Sequence, residues 1–154
     1  MGAPKLMQYL KENNVNFETM EHPTAYTSQE IAEKAHIKGK TMAKTVMVKI
    51  DGQLAMAVLP GNDMLDIGLF QKACGGANIE LVKENEFRDQ FPDCELGAMP
   101  PFGNLYNMKV WVDVDLAKDE RIAFNAGNHH ELCLMSYSDF EQLVDPIRAD
   151  IHRH

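Results

Sequence analysis

Lys44 stands at the start of the run Lys44-Thr45-Val46-Met47-Val48-Lys49-Ile50. Side chains alternate along a strand, so it shares a face with Val46, Val48 and Ile50, the side that reads as core. An isolated ammonium is costly to bury, so a lysine on that face should reach a pocket or an anion. Further along comes Gly97-Ala98-Met99-Pro100-Pro101-Phe102-Gly103. Its glycines accept backbone angles that other residues resist, while Pro100 and Pro101 fix φ and remove two amide donors. Carbonyls on so stiff a chain can orient an ammonium or a water molecule. Each feature also has a plainer reading, a strand-end lysine reaching solvent and an ordinary turn. Together they suggest a cation held against a rigid pocket wall.

Other side chains offer less. His129 and His130 with Cys133 have donor types that suit zinc. Adjacent residues on one strand point to opposite faces, however, so no metal site is expected there, and no cofactor. His129 reads as a surface residue. His22, before Pro23, either borders the pocket or shapes the entry to a helix. Met99 is the pocket candidate among the methionines, and Met47 and Met56 read as core filling. Trp111 reads as core. His152-Arg153-His154 reads as a frayed end. No Gly-x-Ser-x-Gly elbow is present to supply a covalent serine route.

The elements that must position these residues follow from pattern. At 154 residues and 45% hydrophobic, the chain suits one α+β domain spanning 1–154. A helix is expected from Pro4 to about Asn13, then a strand near Phe17–Glu21. A capping box at Thr27-Ser28-Gln29-Glu30 opens a second helix running through Ala35. Lys44–Ile50, Asp51-Gly52 and Gln53–Leu59 fit a two-residue hairpin, with the second strand apolar on both faces and therefore central. Asp66–Ala73 reads as a helix, Ile79–Val82 as a strand, and Glu84–Phe91 as a helix stopped by Pro92. Val110–Asp113, Arg121–Asn125 and Glu131–Ser136 read as strands, and Ser138 as the cap of a last helix. Strands and helices mix without βαβ alternation, giving a mixed, curled, barrel-like sheet flanked by helices.

No apolar run approaches the roughly 18 residues of a membrane helix, and no basic-then-apolar leader opens the chain, so the cytoplasm is expected. Three cysteines without a C-x-x-C pair read as free thiols. A net charge of -8 argues against coating DNA or RNA by phosphate neutralisation. Yet between Lys34 and Ile50 stand five lysines (Lys34, Lys38, Lys40, Lys44, Lys49) and no acid. That stretch is either a solvated basic loop or a local landing site for an anionic group such as a nucleic-acid end.

The order of His22-Pro23, Ala43-Lys44-Thr45-Val46, the Gly-x-x-x-Pro-x-Gly run (Gly97, Pro101, Gly103) and Asn125-Ala126-Gly127-Asn128 resembles the YbaK/EbsC family over nearly the whole chain. That family comprises free-standing aminoacyl-tRNA deacylases and the editing domain of bacterial prolyl-tRNA synthetases. The resemblance implies hydrolysis of the ester joining a mischarged amino acid to the 3′ end of a tRNA. Lys44, Gly97 and Pro101 match its essential lysine and its Gly-x-x-x-Pro loop. His22, Met99, Phe102, Gly103, Gly127 and His130 are the substrate-binding candidates it implies. A synthetase or an elongation factor is the implied partner, and neither membrane nor DNA is. Ala98 and Pro100 depart from some relatives, leaving the substrate open among alanine, cysteine, serine and other small side chains. A non-catalytic module binding aminoacyl ends, nucleotides or a synthetase through the same pocket is the alternative.

Overall fold

The computed structural model describes residues 3–35, 37–38 and 41–154, so Lys40 of the basic run lies outside the described residues. Pro4 opens α1 (Pro4–Glu12), whose Leu6 and Leu10 are buried, and β1 (Phe17–Glu21) follows. Thr27 caps α2 (Ser28–Lys34), its hydroxyl accepting the Glu30 N–H at 3.1 Å.

The hairpin is β2 (Ala43–Ile50) and β3 (Gln53–Pro60), in register from Ala43 opposite Pro60 to Ile50 opposite Gln53. Asp51 and Gly52 both have positive φ (50° and 84°), which matches the twist of the flanking strands. β4 (Met64–Leu65) leads into α3 (Ile67–Ala73), capped by Asp66, whose carboxylate accepts the Leu69 N–H at 2.9 Å. β5 (Ile79–Leu81) is followed by α4 (Glu84–Phe87), which tightens into a 3-10 turn at Arg88–Gln90 instead of continuing to Phe91.

β6 (Lys109–Asp113), β7 (Arg121–Asn125) and β8 (Glu131–Ser136) complete the long strands. α5 (Tyr137–Val144) is capped by Ser136, not Ser138: the Ser136 hydroxyl accepts the Asp139 N–H at 3.1 Å. Two short strands, β9 (Ile147–Ala149) and β10 (His152–Arg153), end the chain. Far from fraying, β10 pairs antiparallel with β4.

The fold is mixed α+β, as expected. Its strands form a five-stranded sheet in the order β5-β2-β3-β6-β9, a three-stranded sheet β1-β8-β7 and the β10-β4 pair. The five-stranded sheet is antiparallel from β5 through β3 and parallel across β6 and β9. A bridge between Met42 and Ala123 links the two larger sheets, and no ladder among the described residues closes them into a ring.

β3 is central and covered on both sides, as its uniform apolarity requires. Met56 and Val58 join Phe102, Phe124 and Phe140 in the main core. Ala55, Ala57 and Leu59 face Phe70 and Ile151 on the other side, where Trp111 also packs, 5.4 Å from Phe70. Cys133 is buried, Cys74 and Cys94 are partly so, and all three are free thiols. No helix among the described residues is long and apolar enough to cross a membrane.

Candidate active site

Lys44 is the second residue of β2, opposite Leu59 and on the same face as Val46 and Val48. That face carries its stem over apolar surface to the end of the sheet, where a turn after β3 brings Asp63 alongside. The half-buried ammonium donates to the Asp63 main-chain carbonyl. Burial holds the Lys44 pKa below that of an ordinary lysine, and the nearby Asp63 carboxylate offsets only part of the effect. The result is a cation tethered by one carbonyl, with donors left for a ligand.

Lys44 opens onto a cavity of about 710 Å³ whose opposite wall includes Gly97 and Met99. The wall is held from behind. Leu96 O accepts the His129 Nε2–H at 2.7 Å, and Glu95 Oε1 accepts the His129 N–H at 2.8 Å. Gly127 O accepts from Glu95 N at 2.7 Å, and Gly127 N donates to Ala98 O at 3.0 Å. Gly97 itself has φ +83° and, among the described residues, neither its N–H nor its carbonyl is engaged. A main chain locked on both sides with one free amide between is suited to holding a small polar group.

Three of the residues singled out from sequence therefore meet at one cavity: Lys44, Gly97 and Met99. The others stand elsewhere. Pro101 is buried behind the wall and stiffens it. Phe102 is fully buried among Tyr9, Phe124 and Phe140, so it belongs to the core and not to a pocket lining. Gly103 is a packing glycine, since a Cβ there would lie 2.7 Å from Val110 Cγ2 and 2.8 Å from Met108 O. Gly127 braces the wall without lining the cavity.

The two histidines are reversed. His129 is buried behind Gly97, and His130 is exposed. Both lie in the bend that precedes β8, so strand alternation does not govern them. His22 is buried outside the lining, its ring bonded to Pro23 O at 2.7 Å and its N–H to His130 O at 2.9 Å.

Three residues were not singled out. Asn125 ends β7 with its Oδ1 buried and without a hydrogen-bond partner among the described residues, and the residue lines the cavity. Asp63 supports Lys44. Tyr26 is 69% exposed at the rim and packs on His129 with ring centroids 4.6 Å apart. In sequence Asn125 is one residue of the Asn-Ala-Gly-Asn motif, Asp63 reads as a strand breaker, and a tyrosine in a loop gives no periodic signal.

Gly127 yields a direct prediction. Its φ is +104°, and a Cβ would lie 2.7 Å from Ala3 Cβ and 3.1 Å from Ala3 N. Gly127→Ala is expected to destabilise the fold by about 2–4 kcal/mol, backbone strain and overpacking together. A urea midpoint equal to the wild type's would contradict this packing.

A tethered cation, a main-chain amide without a partner among the described residues and an unsatisfied buried carbonyl oxygen meet around one cavity. Sequence comparison gives the class. Residues 22–143 match the family described as the aminoacyl-tRNA editing domain. The chain is 24% identical over 157 residues to the multifunctional Ser/Thr-tRNA deacylase ProXp-y of Escherichia coli (strain K12), covering 97% of this chain and 92% of that protein. It is 27% identical over 129 residues to a proline–tRNA ligase of Lactococcus lactis subsp. cremoris (strain SK11), covering 82% of this chain but only 21% of the ligase.

In fold it matches the crystal structure of a proposed trans-editing enzyme for prolyl-tRNA synthetase, with a TM-score of 0.85 at 18% identity over 99% of this chain and 97% of that one. A hypothetical protein of known structure matches with a TM-score of 0.86 at 20% identity over 97% of this chain and 99% of its own. This chain belongs to the aminoacyl-tRNA editing domain family. Its activity is that of an aminoacyl-tRNA deacylase, the hydrolysis of the ester between amino acid and tRNA.

Proposed function

We propose that residues 1–154 work as one editing domain acting in trans on tRNA mischarged with a small amino acid, serine and threonine foremost. Lys44 anchors the anionic 3′ end. The Gly97 main chain and Asn125 Oδ1 hold the aminoacyl group, with Asn125 accepting from its α-ammonium. Tyr26 offers its exposed face to the terminal base, since base–aromatic stacking tolerates any base. Water adds to the ester carbonyl carbon, the carbon–oxygen bond to the ribose breaks, and the ribose hydroxyl leaves with a proton. Such an activated ester needs orientation and charge stabilisation more than a strong protein nucleophile. The convergence of Lys44 and the unengaged Gly97 main chain on one cavity is the observation that carries this reading.

A panel of seryl-, threonyl-, alanyl- and cysteinyl-tRNA, assayed for amino-acid release, tests it. Release from at least one, above the rate without protein, is expected. Binding of charged tRNA with no release from any would favour the non-catalytic module.

The depressed Lys44 pKa adds a pH signature. The anchor works only when charged, so enzyme-dependent release, corrected for hydroxide-driven hydrolysis, should fall on the alkaline side. The fall should begin below the range in which a free lysine loses its proton. Lys44→Arg, which stays charged, should lose the lysine's share of that limb in whatever activity it retains, keeping only the fall set by the substrate's own α-ammonium. Identical alkaline limbs in the two proteins would remove Lys44 from that role.

A further inference from the structure

We propose that Asp63, His152 and His154 form a site for one divalent transition-metal ion, zinc by the chemistry of its donors, at the edge of the Lys44 cavity. One oxygen of Asp63 and one ring nitrogen from each histidine lie within 4.8 Å of one another. The pairing of β10 with β4 brings them there: His152 stands opposite Leu65, and Asp66 N donates to Ile151 O at 2.8 Å. His152 and His154 are two apart, hence on one side of an extended chain, and their rings sit 5.2 Å apart.

What surrounds the histidines favours a cation. Asp113 is wholly buried, and its Oδ1 accepts the His152 Nδ1–H at 2.8 Å. A carboxylate behind an imidazole in this way fixes the ring and points Nε2 at Asp115, a contact that an ion bound through Nε2 would replace. That nitrogen is 3.2 Å from Asp115 Oδ2. Asp150 Oδ1 is 3.3 Å from His152 Nδ1, and Asp63 Oδ1 is 2.8 Å from His154 Nδ1. Asp113 has no lysine or arginine partner among the described residues, and its other bonds come from the main-chain N–H groups of Ile151 and Asp115.

Imidazole and carboxylate donors suit zinc, and three protein ligands leave a fourth position for water. With bonds of about 2.0–2.1 Å, tetrahedral donors stand roughly 3.3–3.5 Å apart, so the cluster must contract on binding. His154, whose side chain is 84% exposed, can make that adjustment. Since Asp63 also supplies the carbonyl that tethers Lys44, an ion here would fix the turn that holds the anchor. The proposal stands apart from the editing reading.

The test is titration of the chelator-treated, full-length protein with Zn²⁺ by calorimetry and with Co²⁺ by visible absorption. One ion per chain is expected, with the intense visible bands of tetrahedral cobalt. Asp63→Asn and His154→Ala should each weaken binding at least tenfold, and Asp113→Asn by about 10–100-fold. Cys74→Ser and His130→Ala should bind as the wild type does. Circular dichroism checks that each variant is folded, and His154 is exposed enough for its truncation to be tolerated. Absence of uptake by the wild type, unchanged binding in His154→Ala, or loss of binding in Cys74→Ser would overturn the site.

Discussion

Lys44→Ala should lower deacylation by roughly 10²-fold or more while leaving the protein folded, since without the anchor the ester is no longer held in its reactive position. The ammonium has one protein bond, to Asp63 O, and faces a cavity that water can enter. Truncation therefore leaves a carbonyl that solvent can satisfy and removes a cation whose burial is itself unfavourable, as its lowered pKa records. Thermal stability should stay level or rise slightly, and charged-tRNA affinity should fall with activity. Amino-acid release measured beside a melting curve checks both halves. Undiminished release by Lys44→Ala would end the assignment of the anchor.

Phe102→Ala should have the opposite character, costing about 3–5 kcal/mol of stability. The ring is fully buried, 5.5 Å from Phe124 and from Phe140 and 6.2 Å from Tyr9. Its removal leaves a hole bounded by aromatic rings, which cannot collapse into it. For a domain with ordinary stability of about 5–15 kcal/mol, that is a large share. Denaturant unfolding measures it directly. Were Phe102 instead a substrate contact, the variant would keep its unfolding midpoint and lose only affinity.

The contrast between these residues shows what was legible in the sequence. The β2–β3 hairpin, the caps at Thr27 and Asp66 and the centrality of β3 were readable because each is decided by neighbours in the chain. Lys44 was readable for the same reason, since alternation along one strand places it on the apolar face. Phe102 was not, because a stiff loop can turn its next side chain toward the cavity or the core, and only Phe124 and Phe140 decide which. The His129–His130 assignment failed because the resemblance puts a histidine after the Asn-Ala-Gly turn near the pocket without saying which, and the bend before β8 turns His129 inward and His130 out. β10 was invisible because two residues carry no period; its partner, β4, is equally short and far away in the chain, with His152 opposite Leu65. Asn125 and Tyr26 acquire meaning only once β7 and the start of α2 flank the same cavity.

The bracing of the pocket wall reaches further than the pocket. Glu95–Ala98 is tied to Gly127 and His129, and the same bend is clasped from outside by Ala3, whose N–H reaches Ala126 O at 2.6 Å. Selectivity between side chains differing by one methylene rests on only about 1–3 kcal/mol. On the function proposed above, substitutions at Ala3 or along α1, remote from any substrate atom, should retune which amino acid is accepted by shifting the scaffold on which Gly97 rests. Evolution of new editing preferences need not pass through the cavity lining at all.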